Sequence, residues 1–362
     1  MDTPPLTRRA LLGAALAAPW TARAQTSGVH PRPLVFPADF GAHPETRTEW
    51  WYLTGALQAG ASVHGFQVTF FRSRTGVAPT HPSRFAASQL VFAHAAVTDM
   101  TRRRLRHDQR IARQGLGIAE AATGDTDVRL RDWRLWREGP PERSVYHAQA
   151  ASDSGGFGLE LACVTTQPLL LQGEAGYSRK GPRPDEASHY YSQPQLAVSG
   201  SLRLDGRAQP VSGRAWLDHE WSDSLLDPQA VGWDWIGMNL DDGGALTAFR
   251  LRRADGSTLW AGGSHRGAGK ATRDFGPQEV QFTPGRAWHS AVSRAAYPVQ
   301  WTIDTPAGRF GINALLDDQE LDSRASTGSV YWEGLSDLLD ERGRRIGRGY
   351  LEMTGYAGRL AL

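Results

Sequence analysis

WWYLTGALQAGASVHGFQVTF (Trp50–Phe70) reads against WDWIGMNLDDGGALTAFRLRR (Trp233–Arg253) without a gap, and that match decides the fold. Trp50 falls on Trp233, Tyr52 on Trp235, Leu53 on Ile236, Leu57 on Leu240, Gly60 on Gly243 and Phe66 on Phe249. A second pair lies at another offset. Gly213-Arg-Ala-Trp-Leu-Asp218 matches Gly347-Arg-Gly-Tyr-Leu-Glu352, and Gly200 matches Gly334. Each half therefore opens on an aromatic strand, turns at a glycine and ends on Gly-Arg-x-aromatic-Leu-acid. Motifs at both ends of each half imply one domain copied in tandem, not a solenoid with a period of roughly 20–50 residues. The expected division is 25–221 and 222–362, packed closely because the junction near Glu220–Ala230 lacks linker composition.

Working outward, the alternation of apolar and polar residues has period two almost everywhere. Phe66, Val68 and Phe70 share one strand face, and Val91, Ala93, Ala95 and Val97 share another. Leu196, Val198, Gly200, Leu202 and Leu204 alternate up to Asp205-Gly206, a hairpin signal. Many short strands with 40 glycines and 21 prolines predict an all-β protein. The expectation is two tandem antiparallel β-barrel domains, each with room for one small ligand. Short helical pieces are expected at Pro82–Ala87 and Asp337–Glu341, and a long loop over Gln172–Gln193.

Thr7-Arg8-Arg9-Ala10-Leu11-Leu12 and Ala22-Arg23-Ala24 form the basic start, short apolar run and small-residue cleavage site of a twin-arginine-type signal peptide over residues 1–24. The apolar run is too short for a transmembrane anchor, so the expected location is periplasmic or secreted. Removing that segment takes three arginines and one aspartate with it and brings the formal net charge from +2 to zero. A neutral surface offers no overall field for nucleic acid. Cys163, the only cysteine, excludes an intramolecular disulfide and falls on an apolar strand pattern.

Nucleophile elbows, Walker loops, dinucleotide fingerprints and zinc spacings are all missing. Asp218-His219-Glu220 does not read as a metal site, because strand neighbours point to opposite faces. What remains is aromatic and acidic. Thirteen tryptophans, all but Trp20 outside the signal, cluster in the repeated strands, and each is first of all core filler. Asp218 is harder to place among apolar neighbours. It is either ion-paired, with Arg214 as the nearby candidate, or a carboxylic acid kept protonated to act as a general acid. His189 ends the long loop beside Tyr190 and Tyr191, and His94 reads as a hydrogen-bonded core histidine.

Phe36-Pro-Ala-Asp-Phe-Gly-Ala-His-Pro44, Thr48-Glu-Trp-Trp-Tyr52, Gly176-Tyr-Ser-Arg-Lys-Gly-Pro182, Ala215-Trp-Leu-Asp-His-Glu-Trp221, Gly232-Trp-Asp-Trp235 and Gly349-Tyr-Leu-Glu-Met-Thr-Gly-Tyr356 resemble the AttH-like, carotenoid 1,2-hydratase-related family of secreted proteins. The resemblance covers essentially the whole chain after the signal. It implies two lipocalin-like barrels and a small hydrophobic, isoprenoid- or lipid-like ligand, with no cofactor and no metal. The hydratase branch uses a His-x-Trp and a Tyr-x-Asp pair; the corresponding positions here are His189-x-Tyr191 and Trp216-x-Asp218, with both aromatics changed. The candidates are thus Asp218 and His189 for catalysis, and Tyr191, Trp216, Trp233, Trp235, Trp50 and Tyr52 for ligand contact. Two functions stay open: a periplasmic carrier working beside a membrane transport system, and a hydro-lyase that adds water to an isoprenoid double bond by acid catalysis.

Overall fold

The computed structural model describes residues 28–83, 85–224 and 226–359. The signal peptide expected over 1–24 lies outside the described residues. Two antiparallel sheets carry nearly all of the secondary structure. Across the first, in order, run Arg104–Arg113, Gln89–Asp99, Ser62–Arg74, Thr48–Ala59, Arg207–Ser222, Ala187–Leu204, Phe157–Val164, Val145–Ser152, Trp133–Glu138, Asp127–Leu130 and Ala119–Ala121. The second runs Thr272–Phe275, Thr258–Arg266, Ala245–Arg252, Gly232–Leu240, Arg345–Met353, Ser329–Leu339, Gly308–Ala314, Gln300–Thr305 and Gln281–Pro284. Among the described residues the helical pieces are single 3-10 turns at Ala38–Phe40 and Pro141–Arg143. The all-β, lipocalin-like double barrel expected from the sequence is what the chain forms.

Each sheet curls round its own apolar core. Trp51, Leu53, Phe66, Phe70, Tyr146, Tyr191, Leu217 and Trp221 fill the first. Ile236, Met238, Trp301, Trp332 and Leu351 belong to the second. The hairpin at Asp205-Gly206 closes with both residues at positive φ, as a two-residue type I′ turn requires. Cys163 is buried in the first core, where burial pushes its thiol up to about 12.

The repeat is physical. Tyr52 pairs with Asp218 across two strands of the first sheet, and Trp235 pairs with Glu352 across the matching strands of the second. Leu57 with Gly213 and Leu240 with Gly347 repeat the same register. Two of the sequence matches fail. The second hairpin turns differently, so Phe66 lies inside the first barrel while Phe249 faces the other domain. Gly200 pairs with Val211 but Gly334 with Leu351, so the ungapped match of those glycines is out of register. Both expected helical pieces are also absent: 82–87 is turn and coil where described, and Asp337 lies in the Ser329–Leu339 strand, ion-paired to Arg348 at 2.7 Å. The long loop is shorter than expected, since strand Ala187–Leu204 begins inside it and Tyr177–Arg179 adds to its edge.

Candidate functional site

The outer faces of the two repeated strand pairs meet each other, and a cavity lies there, between the barrels. Leu217, His219 and Trp221 point into the first core, so Trp216, Asp218 and Glu220 point to the second domain. In the second domain Ile236 and Met238 are core, so Trp233 and Trp235 face the first. Trp50, Tyr52, Tyr190, Trp233, Trp235 and Phe249 line a cavity of about 130 Å³, together with Asp218, Glu220, Glu333, Glu352 and Lys180. That space compares with the roughly 150 Å³ apolar cavity known to accept a benzene.

Asp218 is 4% exposed. Its Oδ1 accepts hydrogen bonds from the Ser192 hydroxyl at 2.6 Å and Trp216 Nε1 at 2.7 Å, and its Oδ2 accepts one from the Tyr190 hydroxyl at 2.8 Å. The Tyr190 hydroxyl in turn receives Trp235 Nε1 at 3.3 Å. No cation pairs with Asp218 among the described residues; Arg214 instead holds Gln195 Oε1 at 2.6 Å, which removes the ion pair that the sequence suggested. Burial raises the Asp218 carboxyl to about 7, against the lowering effect of its three donors and with Glu220 adding to the rise. Such an acid is half protonated at neutral pH. With two donors on Oδ1 and only the Tyr190 hydroxyl on Oδ2, Oδ2 is the atom left with a lone pair to carry the proton.

Glu220 is balanced differently. Lys180 Nζ lies 3.0 Å from its Oε1 and 4.5 Å from the ring centres of both Tyr190 and Phe249. The loop after Tyr177–Arg179 thus supplies the cavity's one lysine. On the opposite wall, Glu333 and Glu352 are direct register partners in neighbouring strands. Burial raises both carboxyls, and the charge of Glu352 raises Glu333 further. At the far end His94 sits between the Tyr331 hydroxyl at 2.8 Å and the Ser326 hydroxyl at 2.9 Å. Burial depresses it to about 3, so it is a neutral, hydrogen-bonded core histidine.

Of the expected site residues, Asp218, Trp50, Tyr52, Trp233 and Trp235 line one cavity, and Trp216 sits behind Asp218 as a donor. His189 and Tyr191 do not join them. They occupy the other face of the Ala187–Leu204 strand, opposite Trp221 and His219, and look into the first barrel. His189 is 3% exposed and tilted against Trp221, with burial lowering it to about 4. The residues that share Asp218's face are their neighbours, Tyr190 and Ser192. Glu333 went unrecognised in the sequence because the Gly200–Gly334 match hides it. In true register Glu333 stands where the first domain carries Ser192, each opposite the acid of the Gly-Arg motif.

A second polar cluster closes the end of the first barrel. His43, Glu49 and His219 bring potential ligand atoms within 4.8 Å of one another. Each is already engaged: Glu49 holds His43 Nδ1 at 2.7 Å, His219 Nε2 at 2.9 Å and Arg72 Nε at 2.7 Å, while His43 Nε2 meets Asp39 and His219 Nδ1 meets Tyr191. Burial works against a charge on His43, but hydrogen bonds to Asp39 and Glu49 prevail and raise its pKa. The cluster reads as a satisfied hydrogen-bond network.

Fold and cavity together define a double lipocalin-like barrel with an acid- and aromatic-lined site between its two halves. The chain belongs to the AttH-like family, whose sequence pattern matches residues 27–356. It is similar to a Nitrosomonas europaea protein assigned as an AttH, with 47% identity and a TM-score of 0.84 over 91% of this chain and 99% of that one. Kievitone hydratase from Nectria haematococca shares the fold at 16% identity and a TM-score of 0.67, covering 92% of this chain and 96% of its own. CghA, solved with Sch210972, shares it at 13% identity and a TM-score of 0.52, with the same coverage. No curated protein matches the chain.

Proposed function

We propose that the interdomain cavity takes up a hydrophobic, isoprenoid- or lipid-like molecule and that Asp218 protonates a carbon–carbon double bond in it, a hydro-lyase reaction. The observation that carries this reading is the Asp218 carboxyl itself, buried among aromatic rings, held by three donors and matched by no cation among the described residues. A carrier for an apolar ligand gains nothing from such a group, which costs stability wherever it is left in a dry site. An acid catalyst needs it. Its pKa near the working pH balances protonated fraction against acidity.

In the reaction, the neutral carboxyl gives its proton from Oδ2 to the less substituted alkene carbon. The tertiary cation left behind lies among Trp50, Trp233, Trp235 and Tyr52, whose ring faces stabilise positive charge. Water then adds to the cation. Protein side chains suffice for each step. The hydratase name of one fold neighbour supports the reading by fold alone.

The test is turnover of isoprenoid alkenes by the purified protein and by Asp218→Asn. The variant should fold and bind but lose about 10²–10⁴-fold in rate, the usual contribution of a general acid. Tight binding of extracted lipids with no turnover by the wild type would return the protein to the carrier class.

A further inference from the structure

The wall opposite Asp218 carries a second polar group of the same cavity. Glu333 and Glu352 face each other across adjacent strands, and both line the cavity. Glu333 is 2% exposed and its Oε1 has no hydrogen-bond partner. The hydroxyl of Tyr52, 6% exposed, is likewise without a partner and points from the first domain toward Glu333, without reaching ordinary hydrogen-bond geometry. Orphaned buried polar atoms of this kind are rare and expensive. Two of them converge here on one space, beside a carboxyl pair that no arginine or lysine neutralises among the described residues. Tyr52 starts beside Asp218, its register partner, and ends at Glu333, so a tyrosine's length separates the two acid sites.

We propose that Glu333, Glu352 and Tyr52 form the site that holds the water molecule and takes its proton, so that the two domains divide the hydration between them. This rests on the reading of Asp218 as the acid. The alkene π pair forms the new C–H bond with the Asp218 proton, and the water lone pair forms the C–O bond to the tertiary cation. The water's O–H bond breaks as its proton passes to the Glu352 carboxylate. Glu333, kept neutral by burial and by its charged neighbour, donates one hydrogen bond to the water oxygen, and the Tyr52 hydroxyl accepts the water's second O–H, so one lone pair stays free for the cation. Net, alkene and water become a tertiary alcohol, and solvent returns the proton from Glu352 to Asp218.

The experiment uses geraniol, which carries a trisubstituted isopropylidene end, with the full mature protein in deuterated water. It reads deuterium entering the recovered alkene separately from alcohol formed. The wild type should do both and Asp218→Asn neither. Glu352→Gln should keep deuterium uptake within about threefold of wild type but lose at least about 100-fold in alcohol formation. Glu333→Gln, an isosteric change, should lower alcohol formation less, because an amide can still hold water. Native near-ultraviolet dichroism of each variant controls for folding, and a protonated-carboxyl infrared band that persists at about pH 8 in the wild type should vanish in Glu333→Gln. Full alcohol formation by Glu352→Gln overturns the division of labour and leaves the Asp218 reading intact. Loss of deuterium uptake in a natively folded Glu352→Gln overturns it as well. A wild type that neither exchanges nor hydrates overturns both.

Discussion

Replacing Asp218 by asparagine should stabilise the folded protein at neutral and alkaline pH. The carboxyl goes from an ordinary value of 3.8 to about 7 on folding because burial penalises its charge. Below the lower value it is protonated in both states and costs nothing. Between the two the unfolded chain releases the proton while the folded chain keeps it, so rising pH favours unfolding. At about 1.36 kcal/mol per pH unit the loss accumulates to about 4 kcal/mol by neutral pH and then stays constant. Asparagine has no such dependence. Its oxygen can accept from Ser192 and Trp216, and the Tyr190 hydroxyl can turn to accept from its amide. Urea unfolding of both proteins at a series of pH values should therefore give curves that coincide near pH 4 and diverge by about 4 kcal/mol toward pH 8, the variant being the more stable. A structural ion pair predicts the opposite sign, a loss of about 3–5 kcal/mol on removing one partner. Parallel curves, or a less stable variant at high pH, would refute the argument.

Other expectations follow from the same geometry. Tyr190→Phe removes a donor to the Asp218 carboxylate, so the alkaline limb of any activity profile should move to higher pH, read from rate against pH. Glu49→Gln leaves the Arg72 guanidinium and His43 underpaired in the first barrel and should destabilise by about 3–5 kcal/mol in thermal unfolding, with no direct effect on the cavity. A fragment comprising residues 25–221 should show a β-type dichroism spectrum yet self-associate, because Tyr52 and Trp216 lose their cover, as sedimentation would show. Exchanging Arg8 and Arg9 for lysine should block export if the twin-arginine route is used, as fractionation of cells would show.

How much of this was legible in the sequence depends on what period-two patterning can say. Alternation tells which residues share a strand face, and so it grouped Trp50 with Tyr52, Trp233 with Trp235, and Trp216 with Asp218 correctly. It does not tell which face is the barrel interior when both are buried. The repeated tryptophans read as core filler, whereas Trp51 and Ile236 fill the barrels and the Trp50 and Trp235 faces pack domain against domain. The same parity separates His189 and Tyr191 from Asp218: they are one residue out of phase with Tyr190 and Ser192, which touch it. Glu352 was visible as the repeat partner of Asp218. Glu333 was hidden because the second hairpin turns sooner: Gly213 pairs with Val198 while its match Gly347 pairs with Leu338, so an ungapped comparison puts the Ala187–Leu204 and Ser329–Leu339 strands out of step. Lys180 could not be placed, since its position follows from how a Gly/Pro-rich loop folds back over Tyr190 and Phe249.

In the proposed reaction Asp218 adds a proton, and the cavity adds water, to a double bond held between the two barrels. Incubation of the mature protein with geraniol in water enriched in oxygen-18, followed by mass spectrometry of the product, puts that reaction to the test. A tertiary alcohol carrying the heavy oxygen at the former alkene should form with the wild type and be lost in Asp218→Asn. Bound but unchanged geraniol in the wild type, or equal labelled product from the asparagine variant, would contradict it.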